Sequence, residues 1–264
     1  MTKLAVIDTH CHLDFSPFSA LESQLLHWQA LGIERYVVPA IGPQNWQKLF
    51  ALHAKHSQIS IALGIHPCFP DGFGHLDTLR THVAQAYHQI VAIGECGLDR
   101  RFANTMSEQC RVFECHLQLA AQYQLPLIIH SVRMNDEVYA LLKRYSISTG
   151  GVIHAFQGSQ VQAQRFIEQG FKLGVGGAIT WPRGIKLQDV LATLPLEALV
   201  LETDAPDMPL YGMHKGDNTP AALFAILAKL SDLFSKNEIF LSEIFVNNSY
   251  SIFWPNEYKG AIAN

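Results

Sequence analysis

At 264 residues the chain is long for an ordinary domain but normal for an α/β barrel, so residues 1–264 are expected to form a single barrel domain. A formal net charge of −4, with 48% hydrophobic and 16% charged residues, suits a well-buried core. It counts against broad charge-driven binding to duplex nucleic acid, but not against a phosphate substrate beside a metal centre.

No run approaches the ~18 consecutive apolar residues that a membrane span needs. Residues 1–3 lead straight into a strand without a signal-peptide pattern. The five cysteines are scattered without a C-x-x-C pair, so reduced thiols in a cytoplasmic protein are expected.

Apolar, β-branched runs recur at 5–9, 35–40, 60–64, 91–95, 127–130, 151–154, 172–176 and 199–202, each pair spaced to admit one helix. Leu21-Leu25-Trp28-Leu31 and Phe113-Leu117-Ala120-Ala121 repeat near the helical period, and Gly32 and Gly170 fall where helix C-caps belong. Two amphipathic helices over 222–234 and 241–253 close the pattern, with Ser242 and Glu243 as an N-terminal signal for the second. The tail 255–264 carries little pattern and is expected to be mobile. Eight βα units predict an α/β fold, a (β/α)8 TIM barrel of the metal-dependent hydrolase type, rather than an open sheet. No Gly-x-Gly-x-x-Gly fingerprint supports a dinucleotide fold.

Five of these strands end on side chains that ligate divalent metals. His10 and His12 stand at i and i+2 and project from one face, with Cys11 turned toward the helices. Asp8 lies one step lower, where it can orient a ligand as an acceptor. Glu95 tips the fourth strand and can bridge two ions through its two oxygens. His130 and His154 end the next two strands, and Asp204 follows the eighth, which adjoins the first in a closed barrel. The C-terminal ends of parallel barrel strands share one face, so these residues can converge there. The expected layout has His10, His12 and Asp204 on one ion, His130 and His154 on a second, and Glu95 between them. Two cations about 3.5–4 Å apart stabilise both attacking and leaving oxygens of a displacement. Asp204 can also take a proton from the attacking water and return it to the leaving group, or serve as a ligand only. Histidine suits Zn²⁺ or Mn²⁺, whereas phosphodiester chemistry often uses Mg²⁺ or Mn²⁺.

Around this set stand substrate-side candidates. His66, in Gly64-Ile65-His66-Pro67, is assigned to substrate phosphate or the leaving group, the ligand positions being filled; loop packing is its alternative. Arg133 and Arg183 can clamp an anionic substrate through their guanidinium forks, or pair at the surface. Glu202 is counted with them: it either hydrogen-bonds a ligand or the water, or occupies a buried polar layer. Gly174-Val175-Gly176-Gly177 lacks the Lys-Ser/Thr of a nucleotide loop, which points to close backbone approach or tight packing instead. Cys96 has no base paired with it and reads as a small buried residue, while His27, His53, His56, His75, His82 and His88 lack ligand spacing.

Six segments in order resemble the TatD family of metal-dependent hydrolases. They are Asp8-Thr9-His10-Cys11-His12, Gly64-Ile65-His66-Pro67, Gly94-Glu95-Cys96-Gly97-Leu98-Asp99, Pro126 to Ser131, His154-Ala155-Phe156-Gln157-Gly158 and Glu202-Thr203-Asp204-Ala205-Pro206. Further stretches, Asp14 to Phe18, Gly176 to Thr180 and Asp204 to Leu210, resemble its YjjV-like subgroup. The resemblance implies a TIM barrel, two divalent ions, and phosphodiester hydrolysis as a deoxyribonuclease on single strands or 3′ ends. It also implies ligand roles for His10, His12, Glu95, His130, His154 and Asp204. Cys96 stands where the family usually has Ile, and Val132, followed by Arg133, where it usually has Arg. The competing reading is a hydrolase of a small amide, ester or lactone on the same metal centre. A non-catalytic metal scaffold fits less well, because structural metal sites are closed by protein ligands. The partner expected is DNA or another phosphodiester, with no membrane. Oligomeric state is unreadable from the sequence, though a barrel of this size would be stable as a monomer.

Overall fold

Runs such as Val6–Asp8 and Leu199–Leu201 are too short for buried helices, and they become strands of one parallel sheet. The computed structural model describes residues 4–257, so the expectations for residues 1–3 and for the tail from 258 onward lie outside the described residues. The eight strands are β1 (Val6–Asp8), β2 (Ile33–Pro39), β3 (Ile59–Leu63), β4 (Ala92–Asp99), β5 (Leu127–Val132), β6 (Gly151–Ile153), β7 (Phe171–Val175) and β8 (Leu199–Leu201). They pair in sequence order, all parallel. The Thr9 N–H and hydroxyl both donate to Leu201 O, at 3.0 and 2.8 Å, and join β8 to β1. The expected (β/α)8 barrel is therefore the fold.

Helices α1 (Leu21–Leu31), α2 (Pro43–Lys55), α3 (Leu76–Ala86), α4 (Met106–Tyr123), α5 (Asn135–Arg144), α6 (Gln160–Glu168) and α7 (Ile185–Leu191) connect the strands, and α8 (Ala222–Phe234) and α9 (Glu238–Phe253) follow β8. Gly32 ends α1 at φ 120°, its N–H returned to Trp28 O and Gln29 O, a backbone that glycine adopts without a Cβ penalty. Leu31 and Ala121 fall outside the buried stripes predicted for α1 and α4. The predicted start of α9 is corrected by one turn. The Asn237 side chain accepts the Ile239 N–H at 2.8 Å and caps the helix, while Ser242 lies within it and donates to Ile239 O.

Alternation along the strands sorts side chains into two layers. Ile7, Val37, Ala62, Ala92, Ile128, Val152 and Val200 fill the barrel interior, with Phe253 and Trp254 packed against them. Their neighbours, including Val6, Ile93, Ile129, Ile153 and Leu201, pack outward with Cys11 and Cys96 against the helices. The next inward layer toward the strands' C-terminal ends is polar or glycine: Gly64, His130, His154, Gly174 and Glu202.

One buried histidine supports this frame from outside the barrel. His116 on α4 is fully buried, its Nε2 accepting the Ile65 N–H at 2.9 Å and its Nδ1 lying 2.7 Å from Val112 O. Burial lowers its pKa from 6.5 to about 4, against the pull of the Val112 carbonyl. Between those values the unfolded chain binds a proton that the folded chain refuses, so stability falls as pH drops through the window, by up to about 3 kcal/mol. Urea midpoints at pH 7 and pH 4.5 should therefore differ less for His116→Gln than for the wild type. Equal acid sensitivity would exclude His116 as the source.

Candidate metal centre

The inward polar layer meets the segments that follow β1 and β8. Asp204 adopts a left-handed backbone, φ 56°, which aspartate tolerates better than most residues, and its N–H donates to His10 O at 2.8 Å. The carboxylate is thereby held over the mouth. Asp8 does not orient an imidazole, as its spacing suggested. The chain leaves regular β structure at Thr9, and the Asp8 carboxylate accepts the N–H groups of His10 and Thr203, at 3.3 and 3.0 Å, and the Thr203 hydroxyl at 2.6 Å. It ties β1 to the end of β8.

His10, His12, Glu95, His130, His154 and Asp204 come together as the sequence predicted. Glu95 divides its oxygens: Oε2 lies 3.1 Å from His10 Nε2 and 3.9 Å from His12 Nε2, and Oε1 lies 3.1 Å from His130 Nδ1. Asp204 Oδ1 lies 3.4 Å from His12 Nε2 and 3.6 Å from His10 Nε2, and its Oδ2 lies 3.6 Å from His154 Nε2. The neighbours differ from the expected layout in one respect. His154 stacks on His10 at 3.6 Å between ring centroids and groups with Asp204, whereas His130 groups with His66 and Cys68.

Electrostatics keep both carboxylates ionised. Burial favours the neutral form of Glu95, but the adjacent His66 and His10 outweigh it and hold the pKa well below the carboxylate range. Burial likewise opposes ionisation of Asp204, and His154 and His12 reverse it. Burial also disfavours the charged form of His130, yet hydrogen bonds to Asp99, Cys68 and Glu95 raise its pKa to about 10. Imidazole nitrogens facing ionised carboxylates from several sides can hold a cation as readily as a proton. His10 Nε2 and His12 Nε2 even face each other at 3.4 Å, as two ligand atoms of one ion would. The donor set therefore fits divalent metal.

His66 and Glu202 both stand against the metal ligands themselves. His66, assigned to substrate because the ligand positions were filled, lines the cavity, and its Nε2 also stands 3.3 Å from Glu95 Oε1 and 3.1 Å from His130 Nδ1, inside the cluster. Glu202, counted with the substrate-side residues, takes the place of a ligand's partner that the sequence also allowed. It is fully buried and does not line the cavity, and its Oε1 lies 3.0 Å from His154 Nδ1 and accepts the Ala155 N–H. The glycine run explains how it fits: a Cβ on Gly174 would come within 2.2 Å of Glu202 Oε2. Carboxylates behind ligating histidines set ring orientation and basicity, and their loss costs about 10–100-fold in metal affinity or activity. Gly174→Ala should weaken Zn²⁺ binding by a similar factor in a calorimetric titration. Unchanged affinity would show that Glu202 has no such role.

A cavity of about 930 Å³ opens over the cluster, lined by His12, Glu95, His130, His154 and Asp204. Arg133 and Arg183 stand on its wall as expected. The sequence reading missed Arg101, Cys68, Phe15 and Phe69 there, and Asp99 behind His130. Asp99 accepts from His130 Nε2 at 2.8 Å and from Arg101 at 2.5 Å. Its signal was its even spacing from Glu95. The predicted strand stopped at Glu95, but β4 runs on to Asp99, its register shifting between Ile93 and Cys96, where Gly94 holds φ 154°. At Gly97 a Cβ would lie 2.0 Å from His130 O, so only glycine allows β4 so close to β5. Cys68 and Arg101 come from loops with no periodic signal.

A (β/α)8 barrel whose mouth gathers five imidazoles and two ionised carboxylates over an open cavity defines a metal-dependent hydrolase. The chain belongs to the TatD related DNase family, whose model matches residues 7–254. It is 40% identical over 253 residues to the uncharacterized metal-dependent hydrolase YjjV of Escherichia coli, covering 94% of this chain and 97% of that one. The crystal structure of E. coli YjjV, a TatD homolog, matches at a TM-score of 0.90 and 38% identity, over 96% of this chain and 99% of that one. The 3′-5′ ssDNA/RNA exonuclease TatD of Salmonella typhimurium is 30% identical over 180 residues, 67% of this chain and 69% of that protein.

Proposed function

We propose that the protein hydrolyses phosphodiester bonds of single-stranded nucleic acid at a dinuclear metal centre, acting from the 3′ end. The observation that carries this reading is the cationic wall of the cavity: Arg101, Arg133 and Arg183 surround a floor of carboxylates and imidazoles. Among the described residues neither Arg133 nor Arg183 pairs with a carboxylate, so both are available to an anion. A neutral amide or lactone would have no use for them. Phe15, stacked on His12 at 4.9 Å, and Phe69, edge-on to His66 at 5.6 Å, add aromatic faces at the same mouth. Base–aromatic stacking is tolerant of sequence, as a nuclease on single strands requires. The Salmonella relative named a 3′-5′ ssDNA/RNA exonuclease supports the direction of attack.

His10, His12, His130 and His154 with Glu95 and Asp204 would hold two divalent ions (Zn²⁺, Mn²⁺ or Mg²⁺), Glu95 offering one oxygen toward His10 and the other toward His130. Bound there, the ions would lower the pKa of the attacking water and neutralise charge on the phosphoryl oxygens. Asp204 is the more exposed of the two cluster carboxylates that line the cavity, with 16% side-chain exposure against 2% for Glu95. It accepts the proton of the attacking water and returns it to the leaving oxygen. Arg133 and Arg183 hold the substrate phosphates, and His66 stands beside Glu95 where it can contact the leaving group. The described residues contain no helix long and apolar enough to cross a membrane, and all five cysteines are free, which fits a cytoplasmic setting.

The test is turnover of 5′-end-labelled single-stranded DNA by protein loaded with each of the three metals. A ladder shortening from the 3′ end is expected. No cleavage by protein carrying two metals would transfer the reading to a small carbonyl substrate.

A further inference from the structure

Beside the catalytic cavity, and sharing Gln157, Arg183 and Met208 with it, lies a second cavity of about 650 Å³. That volume lies within the range of small-ligand sites, about 300–1,000 Å³. Its walls combine three chemistries. Leu187 and Val190 of α7 supply an apolar surface, and Trp181 supplies a flat aromatic one. Arg183 and Lys186 supply positive charge, and among the described residues neither pairs with a carboxylate.

The aromatic wall is built, not incidental. The Trp181 indole N–H donates to Pro209 O at 2.9 Å, and Tyr211 packs against the ring at 5.5 Å. The Arg183 guanidinium lies 4.8 Å from the Trp181 centroid, within cation–π range. It is thereby ordered at the boundary of the two cavities, with its N–H fork free for an anion. A lone phosphate would not need the apolar surface, and a purely apolar ligand would strand two cations. A nucleotide satisfies both, its base on the flat apolar walls and its phosphate on the guanidinium. Because Arg183 also faces the metal cluster's cavity, that phosphate belongs to a chain continuing toward the scissile bond.

We propose that this second cavity receives the nucleotide unit adjoining the scissile phosphodiester of a single-stranded substrate, Arg183 holding its phosphate at the boundary and Trp181 packing against its base. The assignment rests on the phosphodiesterase reading above and adds a consequence: the enzyme gains rate from a second nucleotide that a minimal diester cannot supply.

The experiment compares kcat/KM on a trinucleotide of single-stranded DNA with kcat/KM on bis(4-nitrophenyl) phosphate, using metal-loaded protein. The ratio of the two cancels any change common to both substrates. Trp181→Ala should lower it about tenfold, the size expected for one lost stacking contact, and Trp181→Phe should restore most of it. Val190→Trp, which fills the cavity without touching the aromatic wall's hydrogen bond, should lower the ratio comparably and carries the test if Trp181→Ala does not fold. An unchanged ratio in Trp181→Ala and Val190→Trp, with the trinucleotide cleaved normally, would overturn the subsite and leave the phosphodiesterase reading standing. Failure of the wild type to cleave any oligonucleotide would overturn both.

Discussion

Asp204→Asn is expected to lower kcat on a phosphodiester substrate by about 10³-fold or more while the fold stays intact. Two properties set this expectation. The carboxylate is the more exposed of the cluster's two and stands 3.4 Å from His12 Nε2, so it can meet both a bound ion and the attacking water. Positioned proton transfer alone contributes about 10²–10⁴-fold to rate. The fold should survive because Asp204 is placed by its backbone: its φ of 56° suits asparagine as well, and its N–H bond to His10 O is independent of the side chain. The check is kcat on protein whose metal content has been measured, beside its thermal midpoint. Turnover within threefold of the wild type at equal metal content would remove Asp204 from the proton path.

Glu95→Gln is expected to reduce bound metal from two equivalents per chain to one or none, with turnover lost to a similar degree. An amide keeps the volume of the side chain but offers one acceptor oxygen where the carboxylate offers two, and it turns N–H donors toward the site. Glu95 Oε1 faces His130 and Oε2 faces His10, so one half of the cluster loses its shared ligand whichever way the amide points. The Glu95 N–H donates to Ala40 O at 3.0 Å and would anchor the variant backbone as before. Elemental analysis after exhaustive dialysis reads the stoichiometry directly. Two equivalents retained in the variant would sink the bridging role.

The places where residue spacing was a sound guide share a physical cause. Within β5 the strand alternates regularly, so a histidine two residues beyond an inward Ile128 must also face inward, and the same phase carries one residue past the end of β6 beyond an inward Val152. His130 and His154 follow from that rule. The rule fails where the chain leaves ideal geometry. At Thr9 the strand ends, and Asp8 binds backbone instead of a ring. At Gly94 the register shifts and β4 continues to Asp99, which places a carboxylate behind His130. The stop of α1 at Gly32 was legible for the same local reason, a backbone that glycine alone adopts cheaply.

By itself the sequence determined the number and order of the strands, the barrel, and the six side chains that converge at its mouth. Strand number and order follow from short-range periodicity, and the convergence follows from the common direction of parallel strands, whose C-terminal ends share one face. Tertiary structure decided the rest: that His66 joins the cluster, that Glu202 stands behind His154 in the space of a missing Cβ at Gly174, and that Arg183 and Trp181 divide two cavities. Those relations link loops and strands far apart in the chain. No local periodicity encodes them, because they depend on which side chains the closed barrel leaves room for.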